Sequence, residues 1–372
     1  MSERPRITPE MLERERAQIG VPVPRLQPHV EVATKDAIRH WAQGIGDRNA
    51  FWTDEERAGS SLWHGVVAPP TMVLAMDRNI VRARGFRGIH GWHLRTSFEW
   101  SDVIRKDRGL NGRSTVESIE EVESRYAGGT AYDQVIRTDL HDRDDGRIVC
   151  VARSLIRRFE REAGQRTAKY ERTPHRYTDE ELAEIDAAYQ REEIRGPLPR
   201  FFEDVRVGDA LPEIVRGPLT MMDCVAFVIA WGGAYIYAHG FAWDFLRKHP
   251  GVFPRNAVNV PDSPERTHWS DEFAREIGAP AAFDYGPQRI AWCGTLITNW
   301  MGDDGRLAAL TVQLLRPNYH GDTLRISGTV TAIDPRDRRV TIGLAGLNQQ
   351  GETVVDGSAD AVLRSRSSPS PT

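Results

Sequence analysis

Twice along its length the chain passes through the same order of elements, and that repetition limits what it can fold into. Each half opens with a helix-like stretch, enters a loop, crosses a Gly/Pro turn into a second helix and closes with alternating strands. In the first half the opening helix is Val32–Gly46, with Thr34 as its N-cap and apolar residues at helical spacing. The turn is Val66–Thr71, and a second helix, MVLAMDRNIVRA, starts behind Pro70. Strand-like runs then occupy residues 92–160. In the second half a helix over Gly217–Gly233 starts behind Thr220, and the turn is Ala281–Pro287. The central helix QRIAWCGTLITNWMG follows, ended by Gly302, and then the strands LAALTVQLL, DTLRISGTVTAI and RRVTIGLAGLN. Helices followed by antiparallel strands predict an α+β fold rather than a doubly wound parallel sheet.

Length agrees with two units. At ~150 residues per domain, 372 residues give two domains and a connector. The boundaries are 1–160 and 201–365, joined by a charged helical linker over 161–200 and followed by a tail, 366–372, expected to be disordered. In the linker, Thr178 and Glu181 form a capping box for a surface helix over Thr178–Ile194.

Composition removes several classes of function. Lys and Arg number 49 against 53 Asp and Glu, a net charge of −4, which argues against a nucleic-acid or anionic-membrane surface. No apolar run approaches the ~20 residues of a membrane-spanning helix. The N-terminus is charged with no apolar signal segment, so a cytoplasmic location is expected. Cys150, Cys224 and Cys293 have neither disulfide nor zinc spacing and are expected to be buried. Asp303 and Asp304 are adjacent rather than helically spaced, so no metal is expected. No GxGxxG or GxxxxGK[ST] supports a nucleotide site.

Chemistry points to the loops. The first half reads GIGDRNAFWTDEERA (Gly44–Ala58), the second HWSDEFAREIGAPAAFDYGP (His268–Pro287). WTDEERA and HWSDEFA share one spacing, which sets Trp52 opposite His268 and Ala68–Pro70 opposite Tyr285–Pro287. These features resemble the MaoC-like, (R)-specific enoyl-CoA hydratase family, and most closely its two-domain members with a FAS1-like dehydratase N-terminal half. The motif G-D-x-N-P-[LI]-H-x-D is matched in part by Gly46, Asp47 and Asn49, and R-P-x-x-x-G-D-T by RPNYHGDTL (Arg316–Leu324), expected on a strand.

The resemblance implies a double hotdog, two antiparallel sheets each wrapped around a long central helix. It also implies a hydro-lyase that reversibly adds water to a trans-2-enoyl-CoA to give a 3-hydroxyacyl-CoA, here with a bulky or unusual acyl chain. Coenzyme A belongs to the substrate and no other cofactor is implied; a homodimer or higher oligomer is expected. In the family an Asp and a His act on the water and the C2 proton, and N–H groups at the start of the central helix receive the thioester carbonyl. A carboxylate and an imidazole can exchange protons near neutral pH, and a helix N-terminus offers open donors.

Neither half keeps the whole motif. Trp52 stands where the first half's His belongs and cannot carry a proton, so that half is expected to be a degenerate site in which Asp47 and Asn49 shape the substrate wall. In the second half Gly233 stands in place of the Asp, and an aromatic-rich insertion, 234–267, precedes His268. The insertion either lines an acyl pocket or forms a surface helix. His268 is the candidate catalytic His, or else a helix cap. Asp262, six residues before it, is the candidate partner, or else a turn residue. His239 is a further participant or a packed ring. Asp284, Tyr285 and Gly286 are placed at the thioester, Tyr285 alternatively being a buried ring and Asp284 a partner of Arg289. Two other functions remain open: an acyl-CoA-binding subunit without catalysis of its own, and a hotdog thioesterase.

Overall fold

A computed structural model describes residues 6–82, 84–124, 129–160 and 172–367. The strands are β1 (Pro22–Val23), β2 (His90–Trp100), β3 (Leu110–Ser124), β4 (Gly129–Asp142), β5 (Ile148–Phe159), β6 (Ala210–Arg216), β7 (Arg306–Leu314), β8 (Leu324–Asp334), β9 (Arg339–Leu347) and β10 (Thr353–Val362). They form one sheet in the order β1-β3-β4-β5-β2-β7-β10-β9-β8-β6. The order repeats itself outward from the middle, β2-β5-β4-β3-β1 on one side and β7-β10-β9-β8-β6 on the other. β2 and β7 pair antiparallel, Ser97 opposite Thr311, and join the two expected half-sheets. The fold is thus the α+β double hotdog that the sequence predicts, with its two sheets continuous.

The helices are α1 (Pro9–Arg16), α2 (Lys35–Ile45), α3 (Glu55–Gly59), α4 (Val73–Met76), α5 (Asp179–Gln190), α6 (Met221–Trp231), α7 (His239–Lys248), α8 (Asp271–Glu276) and α9 (Gly286–Met301). Thr34 caps α2 by accepting the Ala37 N–H, and left-handed Gly46 (φ 70) ends it. Thr220 and Asp223 form a capping box on α6, and left-handed Gly232 (φ 87) ends that helix. The paired helices touch closely, since a Cβ on Gly44 would lie 2.4 Å from the Ala230 Cβ. Trp41 meets Phe227 edge-on.

Among the described residues only the second half has the long central helix. α9 is buried from Pro287 to Met301 and packs against β6, β7, β8 and β10. The expected first-half counterpart is cut to a 3-10 turn, Pro70–Met72, and α4. It stops at Asp77, whose buried carboxylate accepts the Asn79 N–H (2.8 Å) and pairs with Arg25 (3.2 Å). Next to it Arg78 donates to the Gly232 and Gly233 carbonyls of the other half. Tertiary polar contacts override helical patterning there.

The capping box Thr178–Glu181 starts α5 as expected; residues 161–171 of the linker lie outside the described residues. At the end of the described chain Ser365 binds Glu203 and Arg366, within the expected tail, pairs with Asp204 at 2.6 Å; 368–372 of that tail lie outside the described residues. The three cysteines are buried and free. Among the described residues no helix is long and apolar enough to cross a membrane.

Candidate active site

The second-half site is built at the N-terminus of α9. A 3-10 turn, Pro264–His268, capped by the Ser263 hydroxyl on the Glu265 N–H, delivers His268 to it. The His268 Nδ1 lies 2.8 Å from the Phe283 carbonyl oxygen, which can only accept, so Nδ1 carries the hydrogen and Nε2 the lone pair of the neutral ring. The ring stacks on Tyr285 with centroids 3.7 Å apart. Burial lowers its pKa to about 4, with the Arg289 and His320 charges acting in the same direction, so the ring is neutral at physiological pH.

Tyr285 is the N-cap residue of α9 and is packed against Phe227 and Trp231, and its hydroxyl donates to Glu265 Oε2 at 2.9 Å. Gly286 opens the helix. Pro287 has no N–H, and the Gln288 and Arg289 N–H groups both bond the Tyr285 carbonyl. The Gly286 N–H is thus the donor that the first helical turn leaves without an intrahelical acceptor. Glycine is needed here for close approach: a Cβ would lie 2.6 Å from Leu314 Cδ1 and 3.2 Å from His93 Nδ1.

Beneath this surface Asp284 is fully buried and pairs with Arg289 at 2.9 Å, as anticipated. Burial pushes its pKa up to about 7, against Arg289 and Asn318, which favour the charged form. Asn318 and His320 come from RPNYHGDT, which is not the expected strand but a turned segment ahead of β8, held by the Tyr319 N–H on Asp322 at 2.9 Å. From the linker, Arg172 also pairs with Asp322 at 3.1 Å.

The other expected residues lie elsewhere. Asp262 is half-exposed, accepts the Ser263 N–H at 2.7 Å and faces Arg266 at 3.7 Å; the carboxylate that meets Tyr285 is Glu265. His239 opens α7 on the surface and is neither packed nor brought to His268. α7 has no buried residue, and Phe241 is 77% exposed. Its Phe245 packs with Tyr235, Tyr237 and Phe253, so this part of the insertion forms an aromatic cluster at the surface.

In the first half Asp47 is buried and accepts the Asn49 N–H at 3.0 Å and the Thr295 hydroxyl, from α9, at 3.3 Å. Burial raises its pKa to about 6, opposed by the Asn49 N–H and the Trp52 indole. Asn49 accepts the Phe51 N–H and Arg57, which pairs with Asp303 at 2.7 Å. Trp52 is buried and, with Phe51, Trp63, Trp100 and Met301, lines a cavity of about 20 Å³, little more than one water. Among the described residues no His, Cys, Asp or Glu cluster could hold a metal.

Two residues escaped the sequence. Glu265 lies inside PDSPERTH, where a charged residue in a turn carries no signal, and His93 arrives from β2 of the other half. Burial lowers the His93 pKa to about 4, with Arg289 adding to it.

Residues 17–151 match the family model described as FAS1-like, dehydratase domain region. A UPF0336 protein of Streptomyces avermitilis is 29% identical over 136 residues, 33% of this chain and 83% of that protein. A solved MaoC-like dehydratase covers 94% of this chain and 99% of its own, with TM-score 0.66 and 18% identity. A Mycobacterium tuberculosis protein with a double hotdog fold covers 92% and 98%, with TM-score 0.52 and 12% identity. At such identities these two structures show the fold alone.

Proposed function

We propose that this chain, a double hotdog whose residues 17–151 match the FAS1-like dehydratase region, is a hydro-lyase acting on acyl thioesters of coenzyme A. It adds water to a trans-2-enoyl-CoA, or removes it from a 3-hydroxyacyl-CoA, at the second-half site. The supporting observation is a neutral His268, fixed in one tautomer by the Phe283 carbonyl, stacked on the residue that caps α9.

The residues can divide the reaction as follows. His268 Nε2 takes one proton from water as the water oxygen bonds to C3. The C2–C3 π pair moves toward the thioester carbonyl oxygen, which faces the Gly286 N–H at the positive end of α9. The imidazolium then returns its proton to C2, so hydrogen and hydroxyl have been added and the ring is neutral again. No cofactor beyond the coenzyme A of the substrate is required.

The test is loss of enoyl-thioester absorbance over a panel of trans-2-enoyl-CoAs, from short linear to bulky acyl groups. Absorbance falls without release of free thiol, and His268→Ala lowers kcat by at least ~100-fold. Free thiol would mark a thioesterase, and binding without turnover a subunit that only holds acyl-CoA.

A further inference from the structure

We propose that Glu265, brought in by the far end of the 234–267 insertion, is the carboxylate that works with His268 in place of the aspartate missing at position 233. The proposal rests on the hydratase reading above.

The repeat supplies the comparison. α2 ends at left-handed Gly46 and Asp47 follows; α6 ends at left-handed Gly232 and Gly233 follows. One Asp47 oxygen accepts the N–H two residues on, Asn49, and the other accepts a hydroxyl from α9, Thr295. Glu265 repeats both contacts from the opposite direction. Its Oε1 accepts the N–H of Ala234 at 2.6 Å and that of Tyr235, two residues beyond Gly233. Its Oε2 accepts the hydroxyl of Tyr285 at the head of α9. A Cβ built on Gly233 would lie 3.0 Å from that Oε2 and 2.3 Å from Ile236 Cγ1. With its φ of 62, position 233 resists any side chain, and the carboxylate reaches the same place from another residue.

The turn supplies the pairing with the imidazole. Glu265 and His268 are three apart on a 3-10 helix, where side chains at that spacing eclipse. Both meet Tyr285, one at its hydroxyl and one on its ring face. Asp262 lies before the turn with its side chain 42% exposed. In the reaction Glu265 accepts the hydrogen bond of the water's second O–H and stabilises the imidazolium formed when His268 takes the first proton. No further bond is made or broken by it. Burial raises the Glu265 pKa, while the Tyr235 and Ala234 N–H groups, the Tyr285 hydroxyl and Arg78 favour its charged form.

The experiment measures kcat, KM and the pH-rate profile for Glu265→Gln, Glu265→Asp and Asp262→Asn, with thermal melts, on an enoyl-CoA that the full wild-type chain hydrates. Glu265→Gln should lose ~100-fold in kcat with KM within about threefold and a shifted pH profile. Glu265→Asp recovers part of the loss, and Asp262→Asn loses far less. A Glu265→Gln enzyme with near-wild-type kcat, or one whose melting temperature falls while its pH profile stays in place, overturns the proposal and leaves the hydratase reading standing. So does a loss at Asp262→Asn as large as that at Glu265→Gln. If Glu265→Gln does not fold, Tyr285→Phe decides, because it keeps the backbone contacts of Glu265: a kcat drop of ~10-fold supports the pairing and no change overturns it. A wild-type chain that hydrates no enoyl thioester removes both readings.

Discussion

On the hydratase reading proposed above, the two halves each keep a different member of one acid–base pair. After α2 the carboxylate remains as Asp47, and an indole, Trp52, fills the place of the imidazole. After α6 the imidazole side remains as His268, and the chain has glycine where the carboxylate would stand. In the first half the leftover carboxylate is bonded to Asn49 and Thr295 beside a cavity of about 20 Å³. In the second, a neutral base stacks on the capping residue of a long buried helix. On that reading one copy serves as a wall for the other, because the fold needs both sheets but the chemistry needs only one helix N-terminus. The backbone carries the same asymmetry, a shortened α4 in one half and the full-length α9 in the other.

The strongest way to break this comparison is to reopen the first half. Trp52→Ala removes a buried indole, and truncating a core aromatic costs about 3–5 kcal/mol. Denaturant unfolding should show that loss, with kcat per folded molecule nearly unchanged. A small stability loss joined to a large kcat loss would make Trp52 part of the reacting site and end its reading as filler.

The repeat, the caps and the central helix were legible because they depend on local patterns. Thr34, Gly46, Thr220, Glu181 and Gly302 mark helix ends through their own backbone neighbours. The early stop of α4 was not legible: Asp77 ends it through Arg25, about fifty positions away, and nothing in MVLAMDRNIVRA records that partner. His268 could be placed by aligning the halves. Glu265 could not, because it reaches Tyr285 only once the insertion has closed back on residues 234 and 235. His93 enters from β2 of the other half for the same reason. Contacts made by chain closure leave no local period to read.

pH sharpens the comparison, because the leftover groups titrate with opposite signs. The fold raises the pKa of Asp47 from 3.8 to about 6, so its contribution is full below 3.8 and is lost as pH climbs through 6. It lowers that of His268 from 6.5 to about 4, so that contribution is present above 6.5 and is lost as pH falls toward 4. Unfolding measured from pH 4 to 7 should show Asp47→Asn gaining on wild type as pH rises, by up to about 3 kcal/mol. His268→Gln should fall behind over the same interval by a similar amount, also about 3 kcal/mol at most. Parallel trends in the two variants would mean that the halves share one electrostatic environment.

The smallest expected effect tests whether the halves are joined at this point at all. Thr295 belongs to α9 of the second half, yet its hydroxyl lies 3.3 Å from the Asp47 carboxylate of the first and equally far from its own Ala291 carbonyl. A donor divided between two long contacts is worth at most about 1 kcal/mol, so Thr295→Val should lower stability by no more than that. Combined with Asp47→Asn, the two losses should add to less than their sum, since each removes the same hydrogen bond. Full additivity would show that Asp47 is held within its own half, by the Asn49 N–H and the Trp52 indole, without Thr295. In that case the carboxylate caps its own loop, and the link between first-half loop and central helix rests on Arg57 and Asp303.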